Sequence, residues 1–308
     1  MTDILSGFAS VALIVLAGWF VGKSGILPKG GGAALNLIVF WVALPAMLIH
    51  TLATTDTSHV LGVPLAVAAI SALGAAAVYH VLAYLLLGQR GAERVVGGMA
   101  ASYNNVANLG VPIAAAVLGD PLVVVPALLF QIGIYSPATL TVLDVLTSRH
   151  GRIDWRSVVM SPLRNPMALG AIGGLTLGHL PFDPPALIMN PLEMLGQAAV
   201  PMALLTFGIS MYGAPVLRKG ISPRRAVMMS SALKLTAHPL FAWLAGMAFG
   251  LEGTALLAVV VVAALPTAQN VFTFSLRYGI GSVQARDSGF VTTLACVPVI
   301  LAIAALLG

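Results

Sequence analysis

Apolar residues in this chain come in long uninterrupted blocks separated by short polar connections. The blocks run over roughly 4–21, 33–53, 60–87, 96–118, 121–146, 166–180, 186–212, 226–250, 253–276 and 288–307. At about 20 residues per bilayer crossing, this pattern predicts an all-α integral membrane protein with ten transmembrane helices, the sixth of them short. The longest polar connection, Thr147–Asn165, leaves no room for a soluble domain. The first block opens behind Asp3 without a basic leader or a small-residue cleavage site, so it reads as a membrane helix and not as a signal peptide.

Two blocks carry residues that a membrane helix avoids. The fourth contains Asn104, Asn105, Asn108, Gly110 and Pro112. Pro112 lacks a backbone donor, and its ring meets the carbonyl four residues back, at Asn108. Backbone groups freed in hydrocarbon need partners, so unwound chain survives there only against protein or a watery cavity. The ninth block is interrupted in the same way at Ala264-Leu-Pro-Thr-Ala-Gln-Asn270. Ten blocks divide into two halves of five, and an odd number per half turns the second half upside down. The halves echo one another: Pro45 and Pro201 lie in mid-span, and the breaks fall around Asn104–Pro112 and Pro266–Asn270. Inverted repeats with discontinuous helices crossing near the midplane are a recurrent transporter design. The alternative is that proline and glycine are simply frequent in membrane helices. The coincidence of prolines with polar side chains in both halves favours the first reading.

Composition agrees. The 308 residues are 59% hydrophobic and 8% charged, with a mean hydropathy of +0.99, whereas soluble domains carry about 25% charged residues. The net charge of +5 reads as topology and not as a nucleic-acid surface, because the basic residues sit between the apolar blocks. Lys23 and Lys29 follow the first block, and Arg90 and Arg94 the third. Arg149, Arg152, Arg156 and Arg164 follow the fifth. Arg218, Lys219, Arg224 and Arg225 follow the seventh, and Arg277 and Arg286 the ninth. The alternate connections hold Asp56, Asp120, Asp183 and Glu252 but no lysine or arginine. Fourteen of the fifteen basic residues thus fall on one side, which the positive-inside rule makes cytoplasmic. Both termini are expected outside, in the inner (plasma) membrane of a prokaryote. The single cysteine, Cys296, excludes a disulfide framework or a thiol metal cluster.

The candidate chemistry lies at the two breaks. Carboxamides offer donors and an acceptor without charge, and half-helix N-termini favour anions. Asn104, Asn105 and Asn108, with Tyr103 beside them and Gly110 allowing close backbone approach, are candidate ligands; the alternative for each is capping of a broken end. Pro266, Thr267, Gln269 and Asn270 form the matching set. Lys234 is the basic residue away from the connections, nine residues past Arg225 and therefore about 13 Å deep. An intramembrane charge is functional by default: it replaces a coupling cation or attracts an anion. The alternative is a lysine snorkelling from a helix that starts later. His238, one turn on, shares its face and is a candidate proton carrier, with a structural histidine as the alternative. For Asp144 a local pair with Arg149 is the preferred reading. No HExxH, GxSxG or Walker loop and no acidic metal cluster is present, so neither an enzyme nor a cofactor or metal is expected.

These residues, taken together, resemble the auxin efflux carrier family, which includes plant auxin exporters and bacterial malonate and malate permeases. The likeness comprises Gly18 and the Lys23–Pro28 turn, Asn36 and Ala43-Leu-Pro45, and Asn105-x-x-Asn-x-Gly-x-Pro112. It continues through Asn165-Pro166, Gly196-x-x-x-x-Pro201-x-x-Leu-x-x-x-Gly208, Lys234-Leu-x-x-His-Pro239, Pro266-x-x-x-Asn270 and Tyr278-Gly279. Each piece is short; their order and spacing carry the resemblance. It implies a fold like the bile acid–sodium symporters, with scaffold helices 1–2 (residues 1–55) and 6–7 (151–215, including the cytoplasmic loop). Helices 3–5 (56–150) and 8–10 (216–308) would form a mobile transport domain. It further implies a homodimer through the scaffold, substrate bound where helices 4 and 9 cross, and an elevator-type shift. Asn105 falls where plant exporters have the asparagine that meets the auxin carboxylate. Asn104 stands where they have proline, and the long cytoplasmic loop is missing, so a small organic anion such as a mono- or dicarboxylate is favoured over auxin. A coupling proton is a further expected partner. A cation–proton antiporter of the same architecture is the weaker alternative, because neither break holds Asp or Glu, and a non-transporting membrane sensor is the other.

Overall fold

A computed structural model describes residues 2–28, 30–54, 62–147, 166–179, 184–212 and 216–308. Lys29, Asp56, Arg149, Arg152, Arg156, Arg164, Asn165 and Asp183 lie outside these residues. Within them the chain is helical and no strand forms; one isolated antiparallel bridge pairs Asn104 with Thr267. Gly31–Thr54, Val63–Leu87, Pro121–Thr147, Ala186–Ile209 and Ser282–Leu307 are each long and apolar enough to cross a membrane. Leu13–Ser24, Leu169–Gly178 and Gly253–Ala263 are shorter apolar helices. Several such helices in one chain make this a multi-pass membrane protein.

Prolines decide where the helices widen or stop. Three π-helical turns, Val39–Ala43, Val106–Gly110 and Gln131–Tyr135, each end two residues before a proline: Pro45, Pro112 and Pro137. Each turn contains the residue four back from that proline (Trp41, Asn108 and Gly133), whose carbonyl the ring would otherwise strike. The wider turn moves that carbonyl aside and keeps the helix going. Pro112 is therefore absorbed, and the chain leaves helical geometry one turn earlier than the sequence implies, at 101–105. The second break runs over 264–268, between helices Gly253–Ala263 and Gln269–Tyr278, with Pro266 inside it. A further interruption splits the block read as continuous over 226–250. Arg224–Leu235 ends at the residue four before Pro239, and Ala237–Ala248 begins after Thr236, whose φ is −123° and ψ −63°.

The chain forms two compact units. The first is Met1–Leu61, Ala107–Ile132 and Met160–Ala214. Its helices meet through small residues. A Cβ at Gly18 would strike the Leu205 carbonyl, and one at Gly208 the Val15 carbonyl, so Thr2–Ser24 and Ala199–Met211 touch backbone to backbone. Gly170 and Gly174 lie in the same way against Pro45 and Leu48, and Gly196 against Met47. Lipid tails give helices no hydrophobic drive to associate, so close approach at small residues supplies the contact.

The second unit is Gly62–Val106, Gly133–Val159 and Pro215–Gly308. Val67, Ala242, Ala245, Val260 and Ala263 form one of its apolar clusters, with Trp243 and Ile303 packed against it. Toward the connection after Leu87, Tyr79 donates to Gln89 (2.8 Å), Gln89 to Gln284 (3.0 Å) and Gln284 back to Tyr79 (2.7 Å), a closed ring of hydrogen bonds. Asp144 accepts from the Tyr278 hydroxyl at 2.7 Å.

The glycine contacts generate a test. Gly18→Val and Gly208→Val push a side chain into backbone that cannot swing away, and each should destabilise by about 1–3 kcal/mol or more. Gly133→Ala meets nothing within 4 Å and should leave stability unchanged or slightly raised. Thermal unfolding of the purified variants in detergent checks the contrast.

Candidate functional site

The candidate site is built where the two breaks of the second unit meet. Helix Gly91–Ala100 closes with the Ala101 N–H shared between the carbonyls of Gly97 (3.0 Å) and Gly98 (3.1 Å). Beyond it the chain is extended and pairs with the other break: Asn105 N–H donates to Pro266 O (2.8 Å), and Ala268 N–H to Tyr103 O (3.0 Å). The Thr267 hydroxyl donates to Ala100 O at 2.6 Å, and its N–H to the Thr292 hydroxyl at 3.0 Å. Each break thus supplies the hydrogen bonds that the other has lost, which is what unwound backbone in hydrocarbon requires.

Lys234 fastens this pairing. Its Nζ donates to Asn104 Oδ1 (2.7 Å) and Ala263 O (2.7 Å) and lies 3.1 Å from His238 Nδ1. An ammonium has three donors, and all three are engaged. Lys234 and His238 are both 0% exposed. Ala263 is the last residue of its half-helix, where the terminal carbonyls carry partial negative charge, so the ammonium also caps that end. Among the described residues Lys234 joins no ion pair; the recorded pairs are His50–Glu193 and Arg286–Asp287.

Aromatic residues brace the first break from the far side. Tyr103 and Tyr135 stack with centroids 5.7 Å apart and planes 19° off parallel. Their hydroxyls cross over: Tyr135 bonds Ser102 at 2.6 Å, and Tyr103 bonds Ser136 at 2.6 Å. Tyr103 also hydrogen-bonds the Asn270 side chain and meets the ring of Phe274 edge-on.

The sequence candidates divide accordingly. Asn104, Asn105, Pro266, Thr267, Lys234 and His238 come together, all buried. Gln269 and Asn270 open the half-helix Gln269–Tyr278 beside them, Gln269 exposed and Asn270 half-buried. Asn108, Gly110 and Pro112 belong to the first unit; Gly110 and Pro112 are buried, and the Asn108 side chain lies outside the described residues. Arg149, the partner expected for Asp144, does too. The sequence reading missed Ser102, Tyr135, Ser136 and Thr292, because hydroxyls are ordinary in membrane helices. The one available signal was Ser136-Pro137, a hydroxyl beside a proline, as in Pro266-Thr267.

Chemically, the site presents one buried positive charge, the N-terminus of a ten-residue half-helix and neutral amides. That set suits an anion. Comparison with known proteins places the chain among membrane transporters. The family model described as "Membrane transport protein" matches residues 3–149 and 148–304. A Rhizobium meliloti protein named "Putative malonate transporter" is 25% identical over 84% of this chain and 82% of its own length. An uncharacterized transporter of Methanocaldococcus jannaschii is 24% identical over 92% of each chain. Auxin efflux carrier component 1c of Oryza sativa, named as probable, is 25% identical over 56% of this chain and 29% of its own length.

The cross-brace predicts a graded response at Thr267. Thr267→Val keeps the shape but strands the Ala100 carbonyl, and should cost about 1–3 kcal/mol of stability. Thr267→Ser keeps the hydroxyl and should lie close to wild type in the same thermal unfolding assay.

Proposed function

Because this chain belongs to the membrane transport protein family that includes the auxin efflux carriers, we propose that it is a secondary transporter of a small organic anion, of the malonate type. The observation that carries this reading is Lys234: a buried ammonium held by two amide oxygens and an imidazole nitrogen, with no carboxylate among the described residues to cancel it. A cation carrier needs an acid at this point. An anion carrier needs a positive field that survives burial.

In this reading the chain crosses the inner membrane ten times as two inverted halves of five, with both termini outside and the arginine-rich connections in the cytoplasm. The unwound pairing of 101–105 with 264–268 supports the crossing of the fourth and ninth spans. Asn105, Gln269 and Asn270 bind the carboxylate, aided by the half-helix N-terminus at Gln269. Asn104 and Thr267, whose oxygens already serve Lys234 and Ala100, hold the breaks in register. Spans 1, 2, 6 and 7 act as the scaffold of a homodimer, and the remaining spans carry the anion by an elevator-type shift.

Transport of labelled malonate, malate and monocarboxylates in proteoliposomes tests the proposal. Asn105→Ala should weaken apparent affinity about 10–100-fold, the value of a hydrogen bond to a charged group. Lys234→Met should abolish transport. Unchanged transport in both variants would remove the site assignment. No transport or thermal stabilisation with any acid would favour a sensor.

A further inference from the structure

The pair at the centre of the crossing is wired for more than anchoring, and this step rests on the anion-transport reading. Lys234 Nζ has three acceptors: Asn104 Oδ1, Ala263 O and His238 Nδ1. A nitrogen 3.1 Å from an ammonium that donates to it must be the unprotonated one, so the neutral ring carries its hydrogen on Nε2. That Nε2 is buried and has no hydrogen-bond partner among the described residues. Two of the acceptors are amide oxygens, far too weakly basic to take a proton near neutrality. The imidazole nitrogen takes one readily.

We infer that His238 is the port through which Lys234 gains and loses its proton, so that the anion site is charged only while the proton is on board. The step follows an existing hydrogen bond. The Nζ–H bond breaks with its electron pair left on Nζ, and the Nδ1 lone pair takes the proton. The imidazolium then gives up its Nε2 proton to water when that edge has access to an aqueous side. What remains is a neutral lysine accepting from Nδ1–H. One proton takes the pair from +1 to zero, and reloading is the same path reversed. With a charged pair attracting the anion and a neutral pair releasing it, proton and anion load and unload together. Linkage makes this reciprocal: a bound anion favours the proton as much as the proton favours the anion.

The surroundings leave the pair alone in this role. His238 lies on Ala237–Ala248, packed against Val63–Leu87, Gly253–Ala263 and Arg224–Leu235. On the first of these, Tyr79 is tied into its ring with Gln89 and Gln284. His80 Nδ1 is bonded to Ala76 O with its ring beside Gly98, and Tyr84 lies under Arg94. Gly253–Ala263 carries no titratable side chain. On Arg224–Leu235, Arg224 donates to Leu217 O and Arg225 is exposed. On Ser282–Leu307, Asp287 is paired with Arg286. Cys296, on the same helix, donates its thiol hydrogen to Thr293 O.

Calorimetric titration of malonate into the purified full chain, in buffers of different ionisation enthalpy, counts the protons taken up on binding. Over about pH 6–9, uptake should rise towards about one proton per malonate in the wild type. His238→Gln keeps an oxygen acceptor for Lys234 but cannot relay. It should still bind malonate, about tenfold weaker or less, with proton uptake following binding about tenfold or more slower when read by a pH dye in stopped flow, and malonate accumulation driven by an imposed pH gradient should slow with it. His238→Asn serves as the second variant if Gln fails to fold. Malonate binding without proton uptake in the wild type, or uptake as fast in His238→Gln as in the wild type, would overturn the inference and leave the transport reading standing. Absence of binding and transport for every acid would remove the transport reading, and this inference with it.

Discussion

A lysine ammonium buried with no carboxylate beside it among the described residues is the constraint around which the second unit is arranged. Removing an ion from water costs several kcal/mol even after relaxation, so its acceptors cannot be casual. Here they come from three separate pieces of chain: the extended stretch at Asn104, the last carbonyl of Gly253–Ala263, and His238 one turn along. Each acceptor is fixed because the charge would be stranded without it. The two breaks are pinned to each other partly by their own backbone hydrogen bonds and partly because both must reach one nitrogen.

That arrangement separates buried residues that hold the breaks from residues at a more open edge. Asn104 and Thr267 turn their oxygens to Lys234 and Ala100. The Tyr103–Tyr135 stack and its crossed hydroxyls to Ser136 and Ser102 stiffen the same stretch. Gln269 and Asn270 differ. They stand at the start of a half-helix with more of their surface open, where N–H groups and the helix dipole point the same way. The polar set that reads as uniform along the sequence is therefore a rigid frame with a more open edge.

Much of this was legible beforehand, for reasons that can be named. Block length and the near-absence of charge gave a helical membrane protein, because hydrocarbon tolerates little else. Asn104, Asn105 and the Pro266 segment announced two breaks, because free backbone must find partners, and the breaks do supply each other. Lys234 stood out by depth alone. The exact site of the first break was not legible, since a π turn absorbs Pro112 at the cost of one wider turn, and nothing in the letters distinguishes that from a stop. Pro239 met the opposite outcome: the helix stops at Leu235 instead of widening. Tyr135, Ser136 and Thr292 were invisible, because their roles depend on contacts across dozens of residues of sequence.

The charge logic also separates this chain from carriers built on acids. A carboxylate at a crossing of half-helices would hold a cation and leave the site near neutral when loaded. A lysine in that position puts the cation in the chain itself. The carbonyl end of Gly253–Ala263 then stabilises the protein's own ammonium, and the neutral amides of the breaks have no charge of their own to place against it. The field at the crossing stays positive for as long as the lysine keeps its proton. That condition makes the imidazole at 3.1 Å matter more than its single hydrogen bond suggests, since of the three acceptors it alone is basic enough to take the proton.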